Sequence, residues 1–165
     1  MNYKNLSFVP VDKIPKGEDV PLDNLLEIFK LAVHMEAICL KHDGIGLSAN
    51  QLGIPWKFFI VLKETGNEYF LNCSYEGIGE KNKSIEGCLS LRDKDGKLRR
   101  FEVERFDKIR FKGKQLKLSH NPQLILEDVD KEASGLFGTV YQHEIDHFSL
   151  ITIDQIGKEI RILGT

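Results

Sequence analysis

The chain has 165 residues, of which 41% are hydrophobic and 29% charged, and this is ordinary for one soluble globular domain over residues 1–165. Its net charge of −2 gives no basis for a nucleic-acid or membrane-binding surface, and no apolar run approaches the roughly twenty residues that cross a bilayer. The segment after Met1 has no apolar signal core, so we expect a cytoplasmic monomer without direct nucleic-acid or membrane contacts.

The first part of the chain predicts an irregular arm followed by a long helix. Residues 1–20 contain two prolines and show no sustained hydrophobic period. From Pro21 to Leu40 the apolar residues recur at helical spacing, so we expect a long N-terminal helix that starts near Pro21. Gly44 is expected to leave this helix in a left-handed conformation.

The middle of the chain predicts antiparallel strands joined by turns. Residues 57–62 form an apolar run typical of a buried strand, and residues 65–67 suit a turn into a second strand over 68–72. Residues 92–97 are the charged tip of a hairpin, and Gly113 is expected to be a turn. Further strands are expected at 98–106, 108–112, 115–119, 123–127, 150–153 and 159–163. The sequence therefore predicts an α+β fold with antiparallel β-strands around one buried helix.

That buried helix is expected to carry the pattern His143-Glu144-Ile145-Asp146-His147. Helical residues four apart lie on the same face, so His143 and His147 can direct two imidazoles to one divalent metal, with Glu144 beside them to handle protons. Leu136 and Val140 continue the same stripe, which indicates that the histidines point into the core. The alternative is a helix with two surface histidines.

A catalytic metal usually needs a third protein ligand, and the sequence offers two kinds. Cys88 is a soft thiolate upstream of the helix, whereas Asp154 and Glu159 lie downstream, where zincin peptidases often carry their third ligand. Cys39, inside the predicted N-terminal helix, and Cys73, after a predicted strand, are expected to be structural. Composition alone leaves the choice of third ligand open.

The segment from Gly44 to Gln51 combines two glycines with small residues, which lets a backbone approach a ligand closely. It lacks the third glycine and the preceding strand of a dinucleotide fingerprint, so we reject nucleotide binding. Gln51 is a candidate hydrogen-bond donor at a site.

Three motifs resemble those of the peptide deformylase family and occur in the same order as in that family. They are Gly44-Ile45-Gly46-Leu47-Ser48-Ala49-Asn50-Gln51, Glu86-Gly87-Cys88-Leu89-Ser90 and Gln142-His143-Glu144-Ile145-Asp146-His147. The resemblance covers roughly residues 21–155. It departs from the family at two positions. The family usually has alanine at the position of Ser48, and it usually has a proline shortly after Ser90, where this chain has Leu91-Arg92.

The resemblance implies a hydrolase that removes the N-formyl group from the N-terminal methionine of newly synthesised polypeptides and releases formate. It implies that Cys88, His143 and His147 bind one divalent metal ion, with Fe²⁺ as the native metal and Ni²⁺, Co²⁺ or Zn²⁺ as substitutes. The partner would be an N-formylmethionyl peptide or nascent chain, which places the enzyme near the ribosome.

The resemblance also assigns roles in the reaction. Glu144 would take a proton from the attacking water and pass it to the leaving amine. The side chain of Gln51 and the backbone N–H of Leu89 would polarise the formyl oxygen. Asp146 is expected to orient a neighbour of the metal, and Arg105 is expected to be structural.

The peptide would lie beside the protein like an added strand, aligned by backbone groups of Ile45, Gly46 and Gly87. The methionine side chain would enter an apolar pocket, whose expected lining is Ile45, Leu89, Leu136, Val140 and His143.

Two other classes of function compete with this interpretation. One is a metallopeptidase that uses the same His-Glu-x-x-His helix with a downstream ligand, and the loss or retention of metal on mutation of Cys88 separates it from a deformylase. The other is a non-catalytic binding module that uses metal for stability, and Glu144→Ala separates that case because it should abolish turnover without unfolding.

Overall fold

The computed structural model describes residues 3–161 and shows an α+β fold, as predicted from the sequence. A five-strand antiparallel path runs in the order β1-β2-β3-β4-β5, and β6 pairs with β4 beside it. The helices and strands are α1 Leu25–Lys41, β1 Gly46–Ser48, β2 Phe58–Val61, β3 Glu68–Arg92, β4 Leu98–Leu118, β5 Leu124–Ser134, α2 Gly135–Phe148, α3 Ile153–Ile156 and β6 Lys158–Ile160. Two short 3-10 helices, Val11–Lys13 and Ala49–Leu52, complete the described chain.

The strand β2 is covered by a helix on each face, which explains why its sequence is continuously apolar. Phe58 and Ile60 pack in one buried cluster with residues of α1, including Met35. Phe59 and Val61 point to the other face and pack in a mainly aromatic cluster with residues of α2. Alternate side chains of a strand point to opposite faces, so both helices are fixed by the same short strand. All residues of α2 from 141 to 148 are buried, which confirms the predicted buried helix.

The strands β3 and β4 are longer than the strands predicted from the sequence, and together they form an antiparallel ribbon. The predicted turn at Gly113 is wrong, since Gly113 lies inside β4 opposite Val129 of β5. A Cβ atom at this position would lie 2.3 Å from the Cys73 sulfur, so the glycine here serves close packing against a register shift in β3. The predicted charged tip at residues 92–97 does connect the two strands.

The helix α1 begins four residues later than predicted, because Asn24 caps it. The Asn24 side chain accepts a hydrogen bond from the backbone N–H of Glu27 at 3.1 Å. At the other end Asp43 has the positive φ of 56° that was expected of Gly44. Gly44 is needed for space, because a Cβ there would lie 2.7 Å from Leu89.

The predicted strand at 150–153 is also wrong. Leu150 has a φ of 61°, and the short helix α3 starts at Ile153. Of the predicted strand 159–163, residues 159 and 160 belong to β6, and residues 162 and 163 lie outside the described part. The arm is irregular over residues 3–20 apart from its 3-10 turn, and its first two residues also lie outside that part. Within residues 3–161, no helix is long and apolar enough to cross a membrane.

Candidate metal centre

The side chains of Cys88, His143 and His147 meet at one buried point. One ligand atom from each lies within 4.8 Å of the other two, and the Cys88 sulfur is 3.4 Å from Nε2 of His147. Helix α2 supplies both histidines on one face, while β3 supplies the cysteine. These three residues, separated by up to 59 positions, have the donor set of a site for one divalent metal ion.

The position of Cys88 depends on an irregularity in the β3–β4 pairing. Gly87 lies opposite Arg100 and Arg92 lies opposite Leu98, but residues 88–91 have no opposing residue in the register. A bulge of this kind re-aims side chains and is common beside active sites. Leu89 also lies in this unpaired segment, outside the regular ladder of the two strands. Its backbone N–H could therefore act as the predicted hydrogen-bond donor to the substrate.

A network of buried charges surrounds the histidines. Nδ1 of His143 lies 2.8 Å from Oε2 of Glu86. Arg105 donates to both carboxylate oxygens of Glu86, at 2.8 and 3.0 Å, and to Asp146 at 2.5 Å. The Tyr75 hydroxyl donates to the other oxygen of Asp146 at 2.8 Å. Asp146 therefore supports the site through Arg105, and its carboxylate is engaged away from the ligand atoms.

The protonation of these groups follows from burial and from their partners. Burial alone would raise the pKa of Glu86, but hydrogen bonds from His143 and Arg105 lower it to about 2. Burial and the positive charges of His143 and Arg105 hold the pKa of His147 well below its usual value. Burial opposes a charge on His143 as well, but its partners Cys88 and Glu86 raise its pKa well above the usual range.

These residues fit a divalent metal ion. A thiolate and two imidazoles are soft and borderline donors that suit first-row metals such as iron, cobalt, nickel and zinc. The contact from Glu86 to Nδ1 of His143 leaves Nε2 of that ring as its ligand atom, the arrangement common among metal-binding histidines. The amide of Asn50 donates to the backbone carbonyl of His147 at 2.6 Å and steadies the end of the helix.

The alternative downstream ligands are engaged elsewhere. Asp154 accepts a hydrogen bond from the Thr152 hydroxyl at 2.5 Å, beside the start of α3. Glu159 forms a two-pronged ion pair with Arg99, at 2.9 and 3.0 Å, and its side chain is half exposed. The donor group that the structure brings together contains neither residue. Cys39 and Cys73 are also buried away from it, and burial raises the pKa of each thiol to about 12.

Glu144 and Gln51 lie on either side of Ser48. The Ser48 hydroxyl lies 2.6 Å from Oε2 of Glu144, and the Ser48 backbone N–H donates to Oε1 of Gln51 at 3.0 Å. The Gln51 amide nitrogen lies 3.4 Å from the Cys88 sulfur and 2.9 Å from the hydroxyl of Ser90. Burial raises the pKa of Glu144, which suits a carboxylate that must exchange protons near neutral pH.

A cleft of about 260 Å³ opens in front of this centre. Its lining includes the predicted substrate and reaction residues Ile45, Gly46, Gln51, Gly87, Leu89, Leu136, Val140, His143 and Glu144. Cys88 and His147, each about 1% exposed, lie behind it. Leu136 and Ile45 are exposed by 59% and 43%, so the mouth of the cleft presents apolar side chains to solvent.

A family model described as "Polypeptide deformylase" matches residues 16–160, which is most of the chain. The chain belongs to this family.

Individual relatives agree with this membership. A peptide deformylase of Natranaerobius thermophilus is 32% identical over 154 residues, which are 92% of this chain and 88% of that protein. Among solved structures, a probable peptide deformylase from Synechococcus phage S-SSM7 is 26% identical with a TM-score of 0.72, covering 92% of this chain and 99% of that one. The Met-Ala-Ser-bound peptide deformylase of Acinetobacter baumannii is 22% identical with a TM-score of 0.71, over 91% and 97% of the two chains, and shows the same fold.

The protein is therefore a hydrolase that removes the N-formyl group from newly synthesised polypeptides, as the three motifs predicted. Membership in the deformylase family sets aside the metallopeptidase and the non-catalytic binding module.

Two residues that shape this deformylase site, Glu86 and Arg100, were not singled out from the sequence. Glu86 lies in the second motif, and its place two residues before Cys88 on the same strand face was an available signal. Arg105 was expected to be structural, and its contacts with Glu86 and Asp146 agree with that role. No local signal indicated Arg100, which lines the cleft. Its guanidinium lies over Gly87, and a Cβ atom added at Gly87 would be 2.8 Å from Nη1 of Arg100.

Proposed function

We propose that Cys88, His143 and His147 hold one divalent metal ion, Fe²⁺ in the native enzyme, and that Ni²⁺, Co²⁺ or Zn²⁺ can replace it. The observation that carries this proposal is the meeting of the three ligand atoms within 4.8 Å inside the protein. When bound, such an ion supplies a Lewis acid that polarises the formyl carbonyl and makes water a better nucleophile at neutral pH. The donor set supports a first-row metal, and the family resemblance supports iron within that group.

Glu144 carries the proton in this proposal. Its carboxylate is 4% exposed, it lines the cleft, and the three ligands are provided by other residues. It takes a proton from the attacking water and delivers it to the amine of the departing peptide, so that formate and a free N-terminal methionine result. Its raised pKa, caused by burial, brings the carboxylate closer to the pH at which both transfers must occur.

Gln51 and Leu89 stabilise the negative charge that develops on the formyl oxygen. The oxygen atom of the Gln51 side chain is fixed by the N–H of Ser48, so its amide nitrogen is directed towards Cys88. That nitrogen carries two hydrogens: one donates to the Ser90 hydroxyl at 2.9 Å, and the other faces the Cys88 sulfur at 3.4 Å, a weaker contact that the formyl oxygen would replace. A preorganised donor of this kind lowers the activation free energy by about 3 kcal/mol in comparable sites.

The substrate peptide lies along the cleft as an added strand. Strand β1 is the first in the sheet path, so one of its edges is not paired within the sheet and supports main-chain bonding at Gly46. Ile45 directly precedes this strand; its carbonyl accepts from the N–H of Leu62, which leaves its own N–H for the peptide. Gly87 lines the opposite wall. The methionine side chain enters between Leu136, Val140 and their apolar neighbours.

We further propose that residues 1–165 form a single catalytic domain that acts as a cytoplasmic monomer near the ribosome. The family match over residues 16–160 and the single sheet support one domain. The net charge of −2 supports action on the peptide without direct binding to nucleic acid.

The proposal is tested by measuring formate release from formyl-Met-Ala-Ser with anaerobically purified, iron-loaded protein. Acetyl-Met-Ala-Ser serves as the control substrate. We expect one metal ion per chain and turnover of the formyl peptide only. The matched pair Cys88→Ser and Cys73→Ser should separate the ligand from the structural cysteine, since only the first should lose metal and activity. Retained metal in Cys88→Ser would contradict the assignment.

A further inference from the structure

We propose that Ser48 is a positioning residue that holds the carboxylate of Glu144 in the orientation needed for proton transfer. The inference rests on the role proposed above for Glu144. Ser48 is fully buried, and its hydroxyl oxygen lies 2.6 Å from Oε2 of Glu144 and 2.9 Å from the backbone carbonyl oxygen of the same residue. One hydroxyl thus lies within hydrogen-bond distance of both ends of the glutamate, 96 positions away in sequence, and its single hydrogen can donate fully to only one of the two oxygens at a time.

The contact determines which carboxylate oxygen faces the cleft. Oε2 is engaged by Ser48, whereas Oε1 lies over Gly46, where an added Cβ would come within 2.7 Å of it. Gly46 itself lines the cleft. A free glutamate side chain samples many rotamers, and fixing it costs conformational entropy. A hydrogen bond to a charged oxygen can offset that cost and leave Oε1 directed at the reacting groups.

Ser48 is itself rigidly mounted. It lies in β1 opposite Phe59, and its backbone N–H donates to Oε1 of Gln51 at 3.0 Å. The same residue therefore orients the proposed proton carrier through its hydroxyl and the proposed oxyanion donor through its main chain. A shift of Ser48 would move both groups relative to Cys88.

The other interpretation is that the Ser48 hydroxyl only stabilises the fold. Ser48 is also the N-cap residue of the 3-10 helix Ala49–Leu52, and caps of this kind contribute to stability. The family usually carries alanine here, so the fold and the metal ligands should tolerate loss of the hydroxyl. A role in stability predicts a lower melting temperature with unchanged turnover, whereas a positioning role predicts the reverse.

The experiment compares wild type, Ser48→Ala and the exposed control Ser74→Ala, each with measured metal content, melting temperature, kcat and KM for formyl-Met-Ala-Ser. We expect Ser48→Ala to keep one metal per chain and its KM while kcat falls about three- to tenfold, the size of one lost hydrogen bond of ordinary strength. Ser48→Cys, which keeps the volume but donates weakly, should show a similar fall and replaces Ser48→Ala if that variant does not fold. Ser74→Ala should match wild type.

A double-mutant cycle with Glu144→Asp tests whether Ser48 acts through the glutamate. The shorter carboxylate cannot keep the 2.6 Å contact, so Ser48→Ala should cause no further loss in the Glu144→Asp background. An equal loss in both backgrounds, or an unchanged kcat in Ser48→Ala, would overturn the inference. A metal-loaded wild-type protein that releases no formate would instead overturn the proposed role of the site, so the two failures are distinct.

Discussion

Glu86 and His143 are joined by a buried contact of 2.8 Å between a carboxylate oxygen and Nδ1 of the imidazole. The contact fixes the ring so that Nε2 remains for a metal ion. Glu86→Gln would keep the size of the side chain and remove its charge. We expect metal affinity to fall about 10- to 100-fold, the range known for such supporting groups. Competition with a chelator measures it, and the exposed Glu76→Gln on the same strand should leave affinity unchanged. Equal affinities for both variants would contradict the role of Glu86.

Arg105 should be important for stability because it neutralises two buried carboxylates. Removing it in Arg105→Met leaves Glu86 and Asp146 without their cation, and we expect a loss of about 3–5 kcal/mol in the free energy of unfolding in urea. Arg110 makes the same two-pronged contact with Asp130, but on the surface with half of its side chain exposed. Arg110→Met should therefore change stability little. Similar effects of the two substitutions would show that burial of the Arg105 network does not matter.

Leu136 should help to bind the methionine side chain of the substrate. It is 59% exposed at the cleft, so its truncation should not destabilise the fold. We expect Leu136→Ala to raise KM for formyl-Met-Ala-Ser about three- to tenfold, which corresponds to losing the burial of one or two CH₂ groups at about 0.8 kcal/mol each. Leu26 on α1 is 56% exposed and outside the cleft, so Leu26→Ala is the matched control with unchanged KM. An unchanged KM in Leu136→Ala would place the methionine side chain elsewhere.

The iron-loaded enzyme should lose activity in air faster than the nickel-loaded enzyme. Oxidation at a ferrous thiolate site converts Cys88 into species that no longer bind the metal. Activity should be followed with time in aerated buffer for both metal forms, with alkylation of the remaining free thiols and mass spectrometry of the Cys88 peptide. Equal half-lives for the two forms would contradict iron as the vulnerable native metal.

The group of Cys88, His143 and His147, which we propose as the metal ligands, could be predicted from the sequence because its signals are local. His143 and His147 share a helix face because of their spacing alone. Cys88 lies in a short motif that resembles one of the motifs of the peptide deformylase family. The contacts that support them are long-range, since Ser48 meets Glu144 across 96 positions and Arg105 meets Asp146 across 41. No spacing rule predicts such pairs.

The strand boundaries were less predictable for a related reason. Glycine is typical of turns, but Gly113 lies inside a strand, where close packing against Cys73 leaves no space for a larger residue. Residues 150–153 are apolar enough for a strand, but the positive φ of Leu150 and the start of α3 break it. The α+β class was predictable because the apolar run at 57–62 and the period of α1 are strong patterns.

Glu144 should move protons during the reaction without binding the metal. Glu144→Gln keeps size and hydrogen bonding but cannot take up a proton at neutral pH. Metal content and formate release should be measured on the same iron-loaded sample of this variant and of wild type. We predict one metal ion per chain in both proteins and a loss of at least about one hundredfold in turnover for Glu144→Gln. A variant that is metal-free, or metal-loaded and fully active, would contradict the assigned role.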